Sequence, residues 1–160
     1  MALRIERAAE RDLPAIVRLV RHLAEYEKLA HVMVSRADDF RKALFGPQRH
    51  VEALMAFAAY APVGFALYFY NFSTFLGKRG IYLEDLFVEP EYRGQGIGKA
   101  LLQRLAQIAK DEDCGRMEWS VLTWNQPSID FYQRLGAVTL EDWRTFRLTG
   151  EALERLAEGG

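Results

Sequence analysis

The chain has 160 residues, half of them hydrophobic and 27% charged, with a formal net charge of −1. That length and composition predict a single folded domain over 1–160 with one core and exclude a disordered chain. Near-neutrality without a run of Lys or Arg argues against nucleic acid or an anionic membrane surface as a partner.

Cys114 is the only cysteine, so no internal disulfide can form, and a reducing compartment, the cytoplasm, is expected. His22, His31 and His50 are scattered along the chain without metal-ligand spacing, so no metal is expected. The first residues, MALRIERAAERD, mix charges from the fourth position and lack the apolar core of a signal peptide.

Taken in order, Leu3 to Arg7 alternates like an edge strand. From about Ala9 to Leu29, Leu13, Ile16, Val17, Val20, Leu23 and Ala24 recur at helical spacing. A shorter helix is predicted from Ser35, with Asp38 as its capping partner. No charged residue occurs from Ala53 to Gly77, a length that could cross a membrane. Pro62 and Gly64 interrupt that run, and Phe65, Leu67 and Phe69 alternate with Tyr68 and Tyr70. Two buried strands joined at Ala61-Pro62-Val63-Gly64 are therefore expected, not a spanning helix.

A third strand covers Gly80 to Val88, with Ile81, Leu83 and Phe87 on one face and Tyr82, Leu86 and Val88 on the other. The next helix runs from about Gly96 to Asp111 and buries Ile97, Leu101, Leu102, Leu105 and Ile108. A strand follows from Arg116 to Leu122, then a helix capped by Asn125 and ended by Gly136. A strand pair, Val138–Leu140 and Trp143–Leu148, and a short helix from Glu151 complete the chain. The sum is an α/β protein: a mixed, mostly antiparallel sheet of six or seven strands flanked by helices.

The stretch EPEYRGQGIGKALLQRL places glycines ahead of a helix, as phosphate-binding turns do. A P-loop fails, because Arg93 stands where its first Gly belongs and Ala100 where its hydroxyl belongs. The dinucleotide fingerprint fails too, with Lys99 or Leu101 in place of its last Gly. What fits is R-x-x-G-x-G over Arg93, Gly94, Gln95, Gly96, Ile97 and Gly98. Such a turn aims backbone N–H groups inward, adds a helix N-terminus, and has Arg93 and Lys99 beside it, which suits a pyrophosphate.

That loop resembles the acetyl-CoA pyrophosphate loop of the GCN5-related N-acetyltransferases, and the order of elements resembles the same superfamily over essentially the whole chain. YLEDLFVEPEYRGQGIG (Tyr82–Gly98) and VLTWNQPSIDFYQRLGA (Val121–Ala137) resemble its diamine branch, the spermidine/spermine and thialysine acetyltransferases. The resemblance implies direct acetyl transfer from acetyl-CoA to the primary amine of a small substrate, by a homodimer with sites near its interface. The apolar run Tyr68 to Phe75, expected to be exposed, suits such an interface.

Transfer to an amine requires a neutral amine, a polarised carbonyl and a proton for the leaving thiolate. Tyr132, by resemblance, protonates the thiolate, and a phenol pKa near 10 lies above that of a thiol. Glu84 and Asp85 interrupt an apolar strand, where burial raises a carboxyl pKa and attracts a cation. The residue matching Glu84 binds the amine and takes its proton, with Asp85 beside it; a salt bridge within the sheet is the plainer role for both.

Leu86, Phe87 and Val88 would offer backbone to the acetyl and pantetheine groups. Asn125 and Ser128 match a second cofactor-contacting stretch, although helix capping explains Asn125 equally well. Tyr26 and Glu27 match the amine-site pair, and Trp143 a substrate-side tryptophan. Where polyamine enzymes carry an acidic residue and a tryptophan, this chain has Ser73 and Phe75, closer to the thialysine branch. Two other readings stand beside this one: the same chemistry on an aminoglycoside-like drug or a protein amine, and a CoA-binding sensor without activity.

Overall fold

A computed structural model describes residues 2–160. Its elements are β1 (Leu3–Arg7), α1 (Leu13–Tyr26), α2 (Ala37–Phe45), β2 (Glu52–Ala58), β3 (Ala61–Ser73), β4 (Lys78–Val88), α3 (Ile97–Asp111), β5 (Arg116–Glu118), α4 (Gln126–Arg134) and α5 (Gly150–Ala157). They fall into two units, 1–120 and 121–160. Among the described residues, no helix is long and apolar enough to cross a membrane.

In the first unit the strands lie in the order β1-β2-β3-β4-β5, antiparallel except for the parallel β4–β5 pair. Among the described residues the sheet thus has five strands, not six or seven. The Arg116–Leu122 strand shrinks to Arg116–Glu118. The expected pair over 138–148 does not form, leaving Val138, Trp143 and Phe146 largely exposed. Alternating side chains favour a strand, but a strand persists only with a partner edge, and alternation does not supply one.

Helix α1 buries Leu13, Ile16 and Leu23 of the predicted stripe together with Ala15 and Leu19, while Val17, Val20 and Ala24 lie at its half-buried margin. Ala15, Ile16, Leu19 and Leu23, with Leu44 of α2, pack on Ala53, Met55, Phe57, Phe65, Leu67 and Phe87 of the sheet. Helix α3 also packs on the sheet, burying Ile97, Leu101, Leu102, Leu105 and Ile108, as predicted. Helix α2 starts two residues later than expected, at Ala37. Its first turn is closed by Asp39, which accepts from the Arg36 amide at 2.8 Å, so Asp39 and not Asp38 does the capping.

The β2–β3 turn is at Ala59-Tyr60, and Pro62 and Gly64 lie inside β3. Pro62 is accommodated because the β2–β3 register shifts there: Ala56 pairs with Gly64 and Phe57 with Pro62. A second shift is more consequential. Leu67 pairs with Asp85 and Tyr68 with Leu83, so Glu84 has no partner on β3 and forms a bulge. Paired residues share a face, which means the bulge inverts the alternation. Ile81 and Leu83 align with Tyr70 and Tyr68, while Asp85 and Phe87 align with Leu67 and Phe65 on the α1 side. Grouping Ile81 and Leu83 with Phe87 is therefore incorrect.

Candidate active site

Strand β4 carries the first half of the site, and the bulge decides how. Glu84, pushed out of the ladder, is exposed, whereas Asp85 is partly covered beneath the end of α1. Only one of the two carboxylates therefore has the buried setting expected for both. Burial pushes the Asp85 carboxyl up to about 7, with the negative charges of Glu84 and Glu27 adding to the shift. Burial raises the Glu27 carboxyl as well. Three acids from two elements thus crowd one place: Glu27 just past the end of α1, Glu84 and Asp85 at the β4 bulge. Like charges held together favour a cation or a shared proton.

Beyond the bulge, β4 loses its second neighbour. Strand β5 pairs only with Gly80, Ile81 and Tyr82, so from Leu83 to Val88 that edge of β4 has no ladder partner. The backbone groups of Leu86 and Val88 face that edge, the Val88 carbonyl taken up by the Arg93 side chain, whereas Phe87, expected to offer its backbone too, turns its carbonyl to Gly64 of β3. Phe87 is buried, and Leu86 and Val88 are half-buried.

The chain then turns through Pro90–Tyr92 into the glycine loop. Gly94 (φ 77°) and Gly96 (φ 81°) are left-handed, and a Cβ at either would meet nothing within 4 Å. The glycines serve backbone conformation, leaving open space over the loop. Ile97 is the first residue of α3, and the first helical bond runs from the Ala100 amide to the Gly96 carbonyl at 2.9 Å. The amides of Ile97, Gly98 and Lys99 therefore precede the hydrogen-bonded ladder, a geometry suited to an anion, with Gln95 alongside. The residues present fit a pyrophosphate.

Arg93 is placed differently from the phosphate-facing role expected of it. Its guanidinium carbon lies 4.6 Å from the centroid of the Tyr26 ring and 5.3 Å from that of Phe87. Its Nε donates to the Val88 carbonyl at 2.8 Å. Four residues earlier, the Glu89 carboxylate accepts from His22 Nδ1 at 2.8 and 3.0 Å. Glu89 and His22 were missed in the sequence. The only signal there was the place of Glu89 in the long matching block.

In the second unit, Asn125 is buried and its Oδ1 accepts from the Ser128 amide at 3.4 Å, capping α4 as its sequence suggests. Tyr132 sits on the same helix with its ring 5.5 Å from that of Phe131, and its carbonyl accepts from the Ala137 amide. Gly136 (φ 96°) ends the helix as expected. Trp143 lies outside any strand and is 78% exposed.

Within the first unit, then, Tyr26, Glu27, Glu84, Asp85, the open edge of β4 and the loop from Arg93 to Lys99 come together. The profile of the Acetyltransferase (GNAT) family matches residues 16–137. The thialysine N-epsilon-acetyltransferase of Bos taurus is 42% identical, over 96% of each chain. An L-ornithine N5-acetyltransferase of Arabidopsis thaliana is 30% identical over 96% of this chain and 87% of its own. Among solved structures, an integron cassette protein from the mobile metagenome of V. cholerae superposes with a TM-score of 0.83 at 27% identity, covering 99% of both chains. With the family profile spanning residues 16–137 and a relative 42% identical over 96% of each chain, the chain belongs to the GNAT family of N-acetyltransferases.

Proposed function

We propose that the chain, acting as one domain over 1–160, acetylates the primary amine of a small substrate, a thialysine-like amino acid or a short diamine. Acetyl-CoA, the co-substrate of the family, supplies an activated acetyl thioester when bound. The single observation that carries the reading is the cluster of Glu27, Glu84 and Asp85 at the β4 bulge. Three carboxylates attract an ammonium group and then have to accept its proton. Glu84, exposed at the bulge, meets the amine and takes the proton directly or through water. Asp85, titrating near neutral pH, lets the cluster hold that proton.

Backbone N–H groups of Leu86 and Val88 orient and polarise a carbonyl laid along the open edge. The amides from Gly94 to Lys99 hold the pyrophosphate. Asn125 and Ser128 add a second cofactor contact, the Tyr132 phenol O–H donates its proton to the departing sulfur, and Trp143 covers the substrate side. By the resemblance, Ser73, whose side chain is buried, stands where polyamine enzymes carry an acid. This favours a short acceptor over a long polycation.

The exposed tip of the β3–β4 hairpin, with Phe72, Phe75 and Leu76, supports a homodimer. Tyr68, expected to share that surface, is fully buried. Cys114 as the only cysteine supports a cytoplasmic setting. The test is thiol release from acetyl-CoA with thialysine, lysine, ornithine, short diamines, spermidine and an aminoglycoside as acceptors. Turnover fastest with a short amine supports the reading. Turnover confined to the aminoglycoside, or none at all, overturns it.

A further inference from the structure

His22 and Tyr26 stand one turn apart on the same face of α1. Glu89 and Arg93 stand four residues apart in the segment that leads from β4 into the glycine loop. The two pairs meet one to one: Glu89 accepts from His22 Nδ1 at 2.8 and 3.0 Å, and the Arg93 guanidinium stacks on Tyr26 at 4.6 Å. An ionised carboxylate only accepts, so the imidazole proton of this contact sits on Nδ1. Arg93 is further fixed by its Nε bond to the Val88 carbonyl and by the Phe87 ring. One contact between two segments would leave a pivot. Two contacts at matched spacing fix rotation as well as distance.

Resting on the acetyltransferase reading above, we infer that His22, Glu89 and Arg93 are positioning residues. They form a two-point clamp that fastens the last turn of α1, and with it Tyr26 and Glu27, to the entrance of the cofactor loop. The Arg93 guanidinium then serves the amine side of the site more than the phosphate side. Ordering of the loop by the cofactor sets the position of Glu27 in the acidic cluster, so the two substrates are coupled through this joint.

The test separates the Kd for CoA from the KM for the amine in His22→Ala, His22→Asn and Arg93→Lys. His22→Ala and Arg93→Lys are expected to raise the amine KM about tenfold, with CoA Kd changing less than about threefold, since lysine keeps the charge but loses the planar stacked fork. His22→Asn, whose Nδ2 takes the place of Nδ1, is expected to return the amine KM to within about threefold of the parent, which lost packing alone would not do. A CoA Kd raised by Arg93→Lys with an unchanged amine KM would make the guanidinium a phosphate ligand and overturn the clamp. So would a His22→Asn variant no better than His22→Ala.

If the parent enzyme acetylates none of the amines, the functional reading fails while the clamp is still read by hydrogen exchange. CoA is expected to slow exchange over residues 22–27 in the parent chain and not in His22→Ala. Equal protection in both, or none in either, overturns it.

Discussion

Asp85 is a carboxyl held near pH 7 by burial, among two other acids, and that has consequences of two kinds. In the unfolded chain it titrates near its ordinary 3.8. The fold therefore binds an extra proton between these two values. The stabilisation from the neutral form is fully present below the unfolded value and is lost as pH rises through about 7. Asp85→Asn is expected to remove this slope and to raise Tm at pH 8 by about 2–4 °C for each kcal/mol regained. For activity the sign is opposite: the ionised cluster binds and deprotonates an ammonium, so kcat/KM rises through pH 7 in the parent. A titration in which Asp85→Asn keeps that limb would remove Asp85 from the proton path. Tyr132→Phe is expected to lower kcat by about 10²–10³ with CoA affinity unchanged. Stopped turnover with intact CoA binding, followed by thiol release and calorimetry, checks it.

Among the elements, the glycine loop and its helix were legible because their physics is local. A left-handed turn before an amphipathic stripe needs glycine at set positions, and Gly94 and Gly96 adopt it. Gly96→Ala meets no steric neighbour within 4 Å, so its effect reports backbone conformation alone. A left-handed alanine costs on the order of 1 kcal/mol, which lowers Tm by about 2–4 °C. A larger proportional rise in acetyl-CoA KM is expected, because the nest is built from the same backbone; unchanged KM would remove the loop from cofactor binding. What was not legible is decided by pairing. The bulge at Glu84 comes from the register of β4 against β3, and a sequence pattern carries no record of which residues face each other. For the same reason Arg93 read as a charge beside glycines, while its stacking on Tyr26 depends on a partner some seventy positions upstream in the chain.

For the molecule as a whole, the sheet with helices packed on it follows from composition and periodicity, but its extent does not. Residues 138–148 have the alternation of strands and form none, and Tyr68 looks like a surface aromatic yet is fully enclosed. Its hydroxyl, pushed up to about 12 by burial against the pull of Arg7, sits in the sheet interior. Phe72, Phe75 and Leu76 remain in solvent at the hairpin tip. Light scattering is expected to give twice the 18.4 kDa of one chain, and Phe75→Ser with Leu76→Ser to shift it toward the monomer. A parent chain that scatters as a monomer would end the dimer proposal. The bulge has one more implication, for how such a chain can change over time. Because Leu83 and Asp85 already hold consecutive partners on β3, loss of the single codon for Glu84 would leave every other pair in place and every other side chain on its own face. A point deletion in mid-strand, ordinarily ruinous, is here expected to leave the thermal midpoint and circular dichroism of the fold intact while removing the acceptor carboxylate. An active enzyme and a silent CoA binder of the same architecture are then one codon apart.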